Sequence, residues 1–359
     1  MAEQEDSHRA TRILIIVAAL AIITGGIREA QSVLEWFLVA VFLAAIGTPS
    51  VLWLEQKGIP YVVAVFFAVA GMATVIVFIG LLVGASLNSF YNDLPFYQAR
   101  LQTHVSSLQA FLASKGITFT DSFLVDQVKP EAVKSLTASL LRGLGSALFE
   151  IALILLTVTF IFLEASSFPV KLRAILGDPQ KDFHPFMRFV YDINRYMVIK
   201  TAISLTVGAL IGIWLSVLGV DFAILWGFLA FLLHYVPNIG ALISAVPAVF
   251  LALIQLGIGR AALAAAGYIT VDFVLGNVIE PRLMGRRLGL STLVVILSLF
   301  FWGGLLNLIG VVLCIPLTMT VKFACENNKS TRWIAVLLGP EMTPAQVSPA
   351  SKKGTDKAA

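Results

Sequence analysis

The chain has 359 residues, a mean hydropathy of +0.90, 58% hydrophobic residues and only 13% charged residues. This composition excludes an ordinary soluble domain, and the continuous apolar runs argue against a membrane β-barrel, whose strands alternate polar and apolar residues. The net charge of +4 comes mostly from short loops and the C-terminal tail, so it indicates topology and gives no sign of nucleic-acid binding.

Residues 1–83 predict three transmembrane helices, in the apolar runs 13–27, 33–54 and 61–83. The first run has 15 residues, which is short for a span, although tilt and flanking residues can compensate. A cleaved signal peptide is the alternative. We favour a retained helix, because acidic residues precede the run and a second span follows at once.

Residues 84–145 predict a small helical subdomain outside the bilayer. Leu101, Val105, Leu108 and Leu112 recur at helical spacing, and Pro130 begins a second amphipathic helix. The segment has three interpretations. It covers the protein's own membrane domain, it contacts another protomer, or, as the least favoured, it binds a ligand.

A further span is predicted at 146–163, and another at 199–218 begins the transport core, 199–322. The connection 164–198 carries five Lys/Arg against four Asp/Glu and several prolines. It predicts a cytoplasmic loop, because positive charge concentrates on that side of the membrane.

Residues 222–256 are too long for one span and are broken in the middle. As a straight helix the stretch would measure about 50 Å, whereas the hydrocarbon core is about 30 Å thick. The break falls at Pro237-Asn238-Ile239-Gly240, where the proline disfavours continuation and the asparagine is a good N-cap for the returning half. We predict a helical hairpin that enters the bilayer and returns, with one proline-kinked helix as the alternative. His234, just before the tip, can donate to a solute or carry a proton, or is simply hydrogen-bonded.

Asp272 lies near the middle of the predicted span 262–279, where a charge costs at least a few kcal/mol. Helical spacing places it on a stripe of small and polar residues: Ala265, Tyr268, Asp272, Gly276 and Glu280. Such a stripe faces protein or water rather than lipid. The carboxylate is therefore either coupled to protons or cations, or a buried acid paired with a neighbour.

Residues 290–321 are the second overlong apolar stretch, and we expect the break at Trp302-Gly303-Gly304, with Asn307 close by. In both stretches the half-helices would direct free backbone N–H and C=O groups into the membrane interior, where they can bind a polar solute and a cation. Paired, interrupted hydrophobic segments indicate the substrate site of a secondary transporter.

Charge places 164–198, the loop 280–289 and the partly disordered tail 323–359 in the cytoplasm. Both termini are then cytoplasmic and 84–145 is outside. The first hairpin enters from outside and the second from inside. The predicted fold is an all-α polytopic membrane protein with about eight membrane segments, including two re-entrant hairpins in inverted arrangement.

Several motifs in the last third of the chain occur together. They are Tyr235-Val236-Pro237-Asn238-Ile239-Gly240, Pro247, Asn277-Val278-Ile279-Glu280-Pro281-Arg282, Gly285, Leu288-Gly289-Leu290, Leu293-Val294-Val295, Gly303-Gly304 and Ile309-Gly310 through Pro316. This set resembles the autoinducer-2 exporter family, also called PerM-like permeases. A proline usual in the family near Thr292 is absent. With the leading spans and the length, the resemblance covers nearly the whole chain.

The resemblance implies a permease of the bacterial inner membrane and a homo-oligomer, for which pentamers are suggested in the family. Some members of the family are associated with export of the quorum signal autoinducer-2, and others resemble sodium(lithium)/proton antiporters. The family motif adds Asn277 to the candidate pathway residues.

We interpret the chain as a secondary transporter for a small polar solute such as autoinducer-2. A monovalent cation/proton antiporter and a non-transporting membrane scaffold are the alternatives. Its partners are then the solute or cation and the lipid bilayer. No catalytic, nucleotide-binding or metal-binding pattern is present, and no cofactor is expected. The two cysteines, Cys314 and Cys325, match no metal or redox spacing.

Overall fold

The computed structural model describes residues 24–114, 130–165, 183–237, 239–284, 290–326 and 330–339, with a few isolated positions. Within these ranges every element is helical. The elements are α1 (Gln31–Gln56), α2 (Tyr61–Ser114), α3 (Pro130–Ala165), α4 (Phe183–Leu218), α5 (Ala223–Leu233), α6 (Gly240–Leu256), α7 (Ile258–Asp272), a π-helical segment (Phe273–Ile279), α8 (Glu280–Met284), α9 (Thr292–Val312), α10 (Cys314–Glu326) and α11 (Arg332–Leu337). Most of the predicted span 13–27 lies outside the described residues.

Five helices in the described part are long and apolar enough to cross a membrane. They are Gln31–Gln56, Tyr61–Thr103, Phe186–Leu218, Ile258–Met284 and Thr292–Val312. They contain the predicted spans 33–54, 61–83, 199–218 and 262–279, and the predicted span 146–163 lies within α3. The protein is therefore an all-helical membrane protein.

Helix α2 continues for 54 residues, through the boundary expected at residue 84. It is about 80 Å long, more than twice the thickness of the hydrocarbon core, so one end projects from the membrane. The described parts of 84–145 thus continue α2 and α3. Of the predicted stripe, Leu101 packs against the main apolar cluster of the same chain. The side chains of Val105, Leu108 and Leu112 lie outside the described set, and an intersubunit role for the stripe stays a prediction.

The main apolar cluster joins α4, α5, α6 and α7. Helices α4 and α5 approach closely because Gly208 and Gly227 face each other. A Cβ added at either glycine would stand 2.7 Å from the carbonyl oxygen of the other. A second cluster joins α1, α2 and α3, and a third joins α4 to the segments after residue 290. Tyr97 of α2 packs in the main cluster and donates a hydrogen bond to Asp221, in the loop between α4 and α5.

The first broken stretch breaks at the predicted position. Helix α5 ends at Leu233, a turn follows, and α6 begins at Gly240. A Cβ at Gly240 would stand 1.8 Å from the carbonyl oxygen of Leu233, so only glycine allows the two halves to approach this closely. Pro237 lies half-buried in the turn, and Asn238 lies outside the described residues.

The second stretch breaks later than expected. Trp302, Gly303 and Gly304 continue the helix, and the non-helical backbone falls at Leu306 and Asn307. Asn307 has φ 46° and ψ −137°, a positive-φ conformation that residues other than glycine rarely adopt. The chain then folds back, and a Cβ at Gly310 would stand 1.9 Å from the carbonyl oxygen of Trp302. The prediction that the two glycines make the break was therefore wrong.

Candidate functional site

Three titratable side chains meet at the first turn. Lys200 of α4 donates from Nζ to Oε1 of Glu280 over 2.8 Å, and Nε2 of His234 lies 3.2 Å from Oε2 of the same carboxylate. The side chains of Lys200 and His234 are 7% and 6% exposed, and that of Glu280 is 17% exposed. Because buried charges are costly unless paired, these contacts hold the three groups together.

The sequence prediction included His234 and Glu280 but missed Lys200. It is the single charged residue between positions 196 and 220 of the chain. A lysine at the edge of a span also satisfies the positive-inside rule, so its position alone does not indicate a site. One signal in the sequence could have indicated it. Glu280 lies on the small and polar stripe of the predicted span 262–279, and a carboxylate buried there needs a cation nearby.

The π-helical segment places Glu280. The backbone N–H of Glu280 donates to the carbonyl of Leu275, five residues back. Pro281 follows, and in an α-helix its ring would crowd the carbonyl of Asn277. The wider π turn relieves this contact, and π segments often occur at functional sites. Asn277 itself is exposed, away from the buried cluster.

Asp272, at the end of α7, faces the same region. Its Oδ1 lies 3.4 Å from the point where a Cβ of Gly276 would stand, and Cε1 of His234 lies 3.6 Å from that point. The absence of a side chain at Gly276 therefore leaves a gap that the carboxylate and the imidazole share. Asp272 is half-buried and has no ion-pair partner among the described residues.

Two buried hydroxyl groups add unused hydrogen-bonding capacity. They belong to Ser204, four residues after Lys200 on α4, and to Tyr268, four residues before Asp272 on α7; both residues are buried. Neither has a hydrogen-bond partner among the described residues. Buried polar atoms are nearly always satisfied, so each unpartnered one calls for a physical reason.

Helix α1 connects the two turns. Phe42 packs edge-on against Tyr235 of the first turn, with ring centroids 5.7 Å apart. Asn307, at the second turn, donates from Nδ2 to Oε1 of Glu35 at 3.4 Å. Phe42 and Glu35 are seven residues apart, about 10 Å along the helix, so the turns contact α1 at different depths.

Three further predicted residues lie outside the ion cluster. Tyr268 is buried in the main apolar cluster. A Cβ at Gly303 would approach Cγ2 of Val311 to 2.7 Å, whereas a Cβ at Gly304 would have no atom within 4 Å. The structure thus groups His234, Asp272 and Glu280 with Lys200, and it places Asn307 with Glu35.

The sequence profile of one family, described as AI-2E family transporter, matches residues 13–329. The chain belongs to this family. The resemblance seen in the sequence motifs is therefore confirmed, and the protein is a transport protein rather than an enzyme.

Relatives of this AI-2E family transporter cover nearly its full length. The "AI-2 transport protein TqsA" of Escherichia coli (strain K12) is 38% identical over 91% of this chain and 95% of its own length. YhhT of the same organism is 36% identical over 91% of this chain and 94% of its own length. A protein of Haemophilus influenzae is 34% identical, covering 91% of this chain and 96% of the relative. The last two carry only a provisional transport assignment, without a substrate.

Two of the motifs on which the resemblance rests fall on the site. Residues 235–240 form the first turn, and residues 277–282 span the end of the π segment and contain Glu280. These motifs therefore include the carboxylate of the ion cluster, whereas Lys200 and His234 lie outside them.

Proposed function

We propose that the protein is a secondary transporter that moves a small polar solute across the plasma membrane. The observation that carries this proposal is the buried Lys200–Glu280–His234 cluster at the turn of a broken helical stretch. Ionisable groups inside membrane segments are costly and usually mark a substrate or ion pathway. Donors and acceptors converge there, so a solute with several hydroxyl or carbonyl groups can exchange hydrogen bonds with them.

The first candidate solute is autoinducer-2, moving outward. Its support is the function named for the TqsA relative and the mixed donor and acceptor character of the cluster. Lys200 and Glu280 lie on α4 and α8, whereas His234 lies on the turn between α5 and α6. A movement of the turn would separate His234 from Glu280 and leave the Lys200 pair intact. This would open the site to one side.

Sodium(lithium)/proton exchange is the second candidate, and a specific observation favours it. Asp272 has no cationic partner among the described residues, and Ser204 and Tyr268, whose buried oxygens are unpartnered there, are four residues from Lys200 and Asp272 in the sequence. Oxygen atoms are the ligands that hard cations prefer. In this version Asp272 would exchange the cation for a proton.

The proposed arrangement has about eight membrane segments, with both termini cytoplasmic and the two broken stretches re-entrant from opposite sides. It follows from the charge of the loops. The proposed location is the bacterial inner membrane. The chain would assemble as a homo-oligomer through the rest of the stripe, Val105, Leu108 and Leu112, because Leu101 packs within its own chain. Leu108→Asp combined with Leu112→Asp should then reduce the size of the detergent-solubilised oligomer, and an unchanged size would exclude the stripe as the contact.

Everted membrane vesicles test both transport candidates side by side. Autoinducer-2 accumulation and Na⁺-dependent collapse of a pH gradient would be measured for the wild type, Asp272→Asn and Glu280→Gln. We expect Asp272→Asn to abolish pH-driven transport, because it keeps the shape and removes the titrating proton. Glu150→Gln, an exposed change on α3, is the control and should transport normally. Wild-type flux in both site variants, with equal protein in the membrane, would overturn the proposed site.

A further inference from the structure

A large apolar cavity lies between α1 and α2 on one side and α4 and α5 on the other. Its volume is about 1090 Å³. Phe42 and Trp53 line it from α1, Gly71 and Gly80 line it from α2, and Thr201 and Tyr235 line it from the core. It is separate from the space that Asp272 and His234 share across Gly276.

The hydroxyl groups of Tyr235 and Thr201 in this wall already have hydrogen-bond partners. The Tyr235 hydroxyl donates to Thr201 Oγ1 over 2.8 Å, and Thr201 Oγ1 donates to the carbonyl of Met197 over 2.7 Å. The wall therefore offers a polar solute little in return for its lost hydration. The occupant must be largely hydrocarbon.

The volume distinguishes between apolar occupants. A helix about 10 Å across would fill 1090 Å³ over only about 14 Å, less than half of a membrane crossing. A helix from a second copy therefore does not fit. A hydrocarbon chain is about 4–5 Å across at van der Waals contact. Two such chains of one leaflet's depth, about 15 Å each, would occupy roughly half of the cavity.

The rim provides a place for a headgroup. Trp53 and Phe67 line the cavity and are 54% and 63% exposed, so the cavity opens toward the bilayer. The Lys57 ammonium lies 3.9 Å from the centre of the Trp53 ring, just beyond the end of α1. Tryptophan and lysine at a helix end are typical of the membrane interface, where an ammonium can pair with a lipid phosphate.

We propose that this cavity binds one anionic phospholipid, with its acyl chains between α1–α2 and α4–α5 and its phosphate at Lys57. The chains then contact Thr201 and Tyr235, which adjoin Lys200 and His234 in the sequence. A bound lipid thus supports the wall of the candidate site without entering it.

Two glycines allow the cavity to be filled without a clash. A Cβ added at Gly71 or Gly80 has no atom within 4 Å. Gly71 lies about 15 Å along α2 from the level of Lys57, so the filled variant, Gly71→Phe, places a ring in the space of the acyl chains. Gly259→Phe, on α7 outside the cavity and equally free of close atoms, is the matched control.

The experiment is native mass spectrometry of the purified full-length protein after exchange into micelles that contain phosphatidylglycerol. The wild type and Gly259→Phe should retain one lipid per chain. The filled variant should bind the lipid at least about tenfold more weakly, because a tenfold loss of affinity corresponds to only about 1.4 kcal/mol of lost contact energy.

Lys57→Gln should weaken retention of phosphatidylglycerol relative to phosphatidylethanolamine. An acyl-chain diazirine analogue should label α2 near Gly71.

Undiminished retention by the filled variant, or labelling only outside α1, α2, α4 and α5, would overturn the proposal. If the filled variant changed its oligomer size but kept its bound lipid, the cavity would belong to a contact with a second copy, and the lipid proposal would also be overturned. All readouts are independent of transport, so this proposal and the proposed function can fail separately.

Discussion

Replacing Glu280 by glutamine is expected to destabilise the protein more than replacing Lys200 by methionine. Within the described residues, Lys200 has Glu280 as its ion-pair partner, and its side chain is 7% exposed. The single change Glu280→Gln leaves a buried ammonium facing a neutral amide. Lys200→Met leaves the carboxylate with His234, 3.2 Å away, which can pair with it when protonated.

The magnitude follows from the burial of the pair. Removing one partner of a buried ion pair costs about 3–5 kcal/mol, whereas removing both is often close to neutral. A chain of 359 residues has an unfolding entropy of about 0.75 kcal/mol/K if it behaves like a globular protein. Glu280→Gln should therefore lower Tm by roughly 4–7 °C, and Lys200→Met combined with Glu280→Gln by no more than about 2 °C.

Thermal unfolding of the purified protein in one detergent, at one scan rate, measures these differences. Glu164→Gln is a matched control, because Glu164 pairs with Lys171 at the surface and its side chain is 58% exposed. Exposed pairs contribute about 0–1 kcal/mol, so this change should be nearly silent. If the double variant lost as much as the two single variants together, the charges would not be coupled and the reasoning would fail.

Further predictions concern orientation and packing. In a cysteine-free background, a cysteine at Ser114 should react with an impermeant maleimide in intact cells, and one at Asp178 only after the membrane is opened; reversed labelling would contradict the topology. Gly240→Ala should strongly reduce the yield of monodisperse protein, because its Cβ would meet a carbonyl oxygen at 1.8 Å, whereas Gly304→Ala should not. Equal chromatographic profiles would argue against the close turn. Tyr97→Phe loses a hydrogen bond to a carboxylate, worth about 1.5–3 kcal/mol, and should lower Tm by roughly 2–4 °C in the same scans. No change would show that this bond does not hold α2 to the core.

The first turn was predictable because its residues are poorly suited to a continuous apolar helix. Proline removes a donor in the middle of the stretch, and the glycine after it permits the close return of the chain. The second turn was not predictable in the same way. A glycine pair in an apolar helix serves either flexibility or close packing, and Gly303 serves packing against Val311. The turn itself depends on Asn307, whose positive-φ backbone shows only in three dimensions.

The candidate site was predictable in part. A carboxylate stripe on an apolar helix indicated Asp272 and Glu280, since charges in such helices need a polar surrounding. The partner Lys200 lies 80 positions away in the chain, and the contact depends on how α4 and α8 pack.

The length of α2 was not predictable from the apolar pattern. The end of the apolar run at residue 83 predicts the end of a membrane-spanning segment but not the end of a helix. Helix α2 continues because helix propagation does not depend on lipid burial.

The π segment before Glu280 has a consequence for comparing sequences in this family. Each N–H there bonds five residues back rather than four, so the segment holds one residue more than an α-helix would need. A wider turn accommodates that extra residue, so loss of one residue between 273 and 279 would restore regular α-helix and leave Glu280 close to its present position. Helix α7 has no extra residue to lose. Loss of one residue there would turn everything beyond it by about 100°, with a shift of about 1.5 Å along the axis, and would point Glu280 away from Lys200. A one-residue alignment gap therefore preserves the site when it falls within the π segment and disrupts it when it falls within α7.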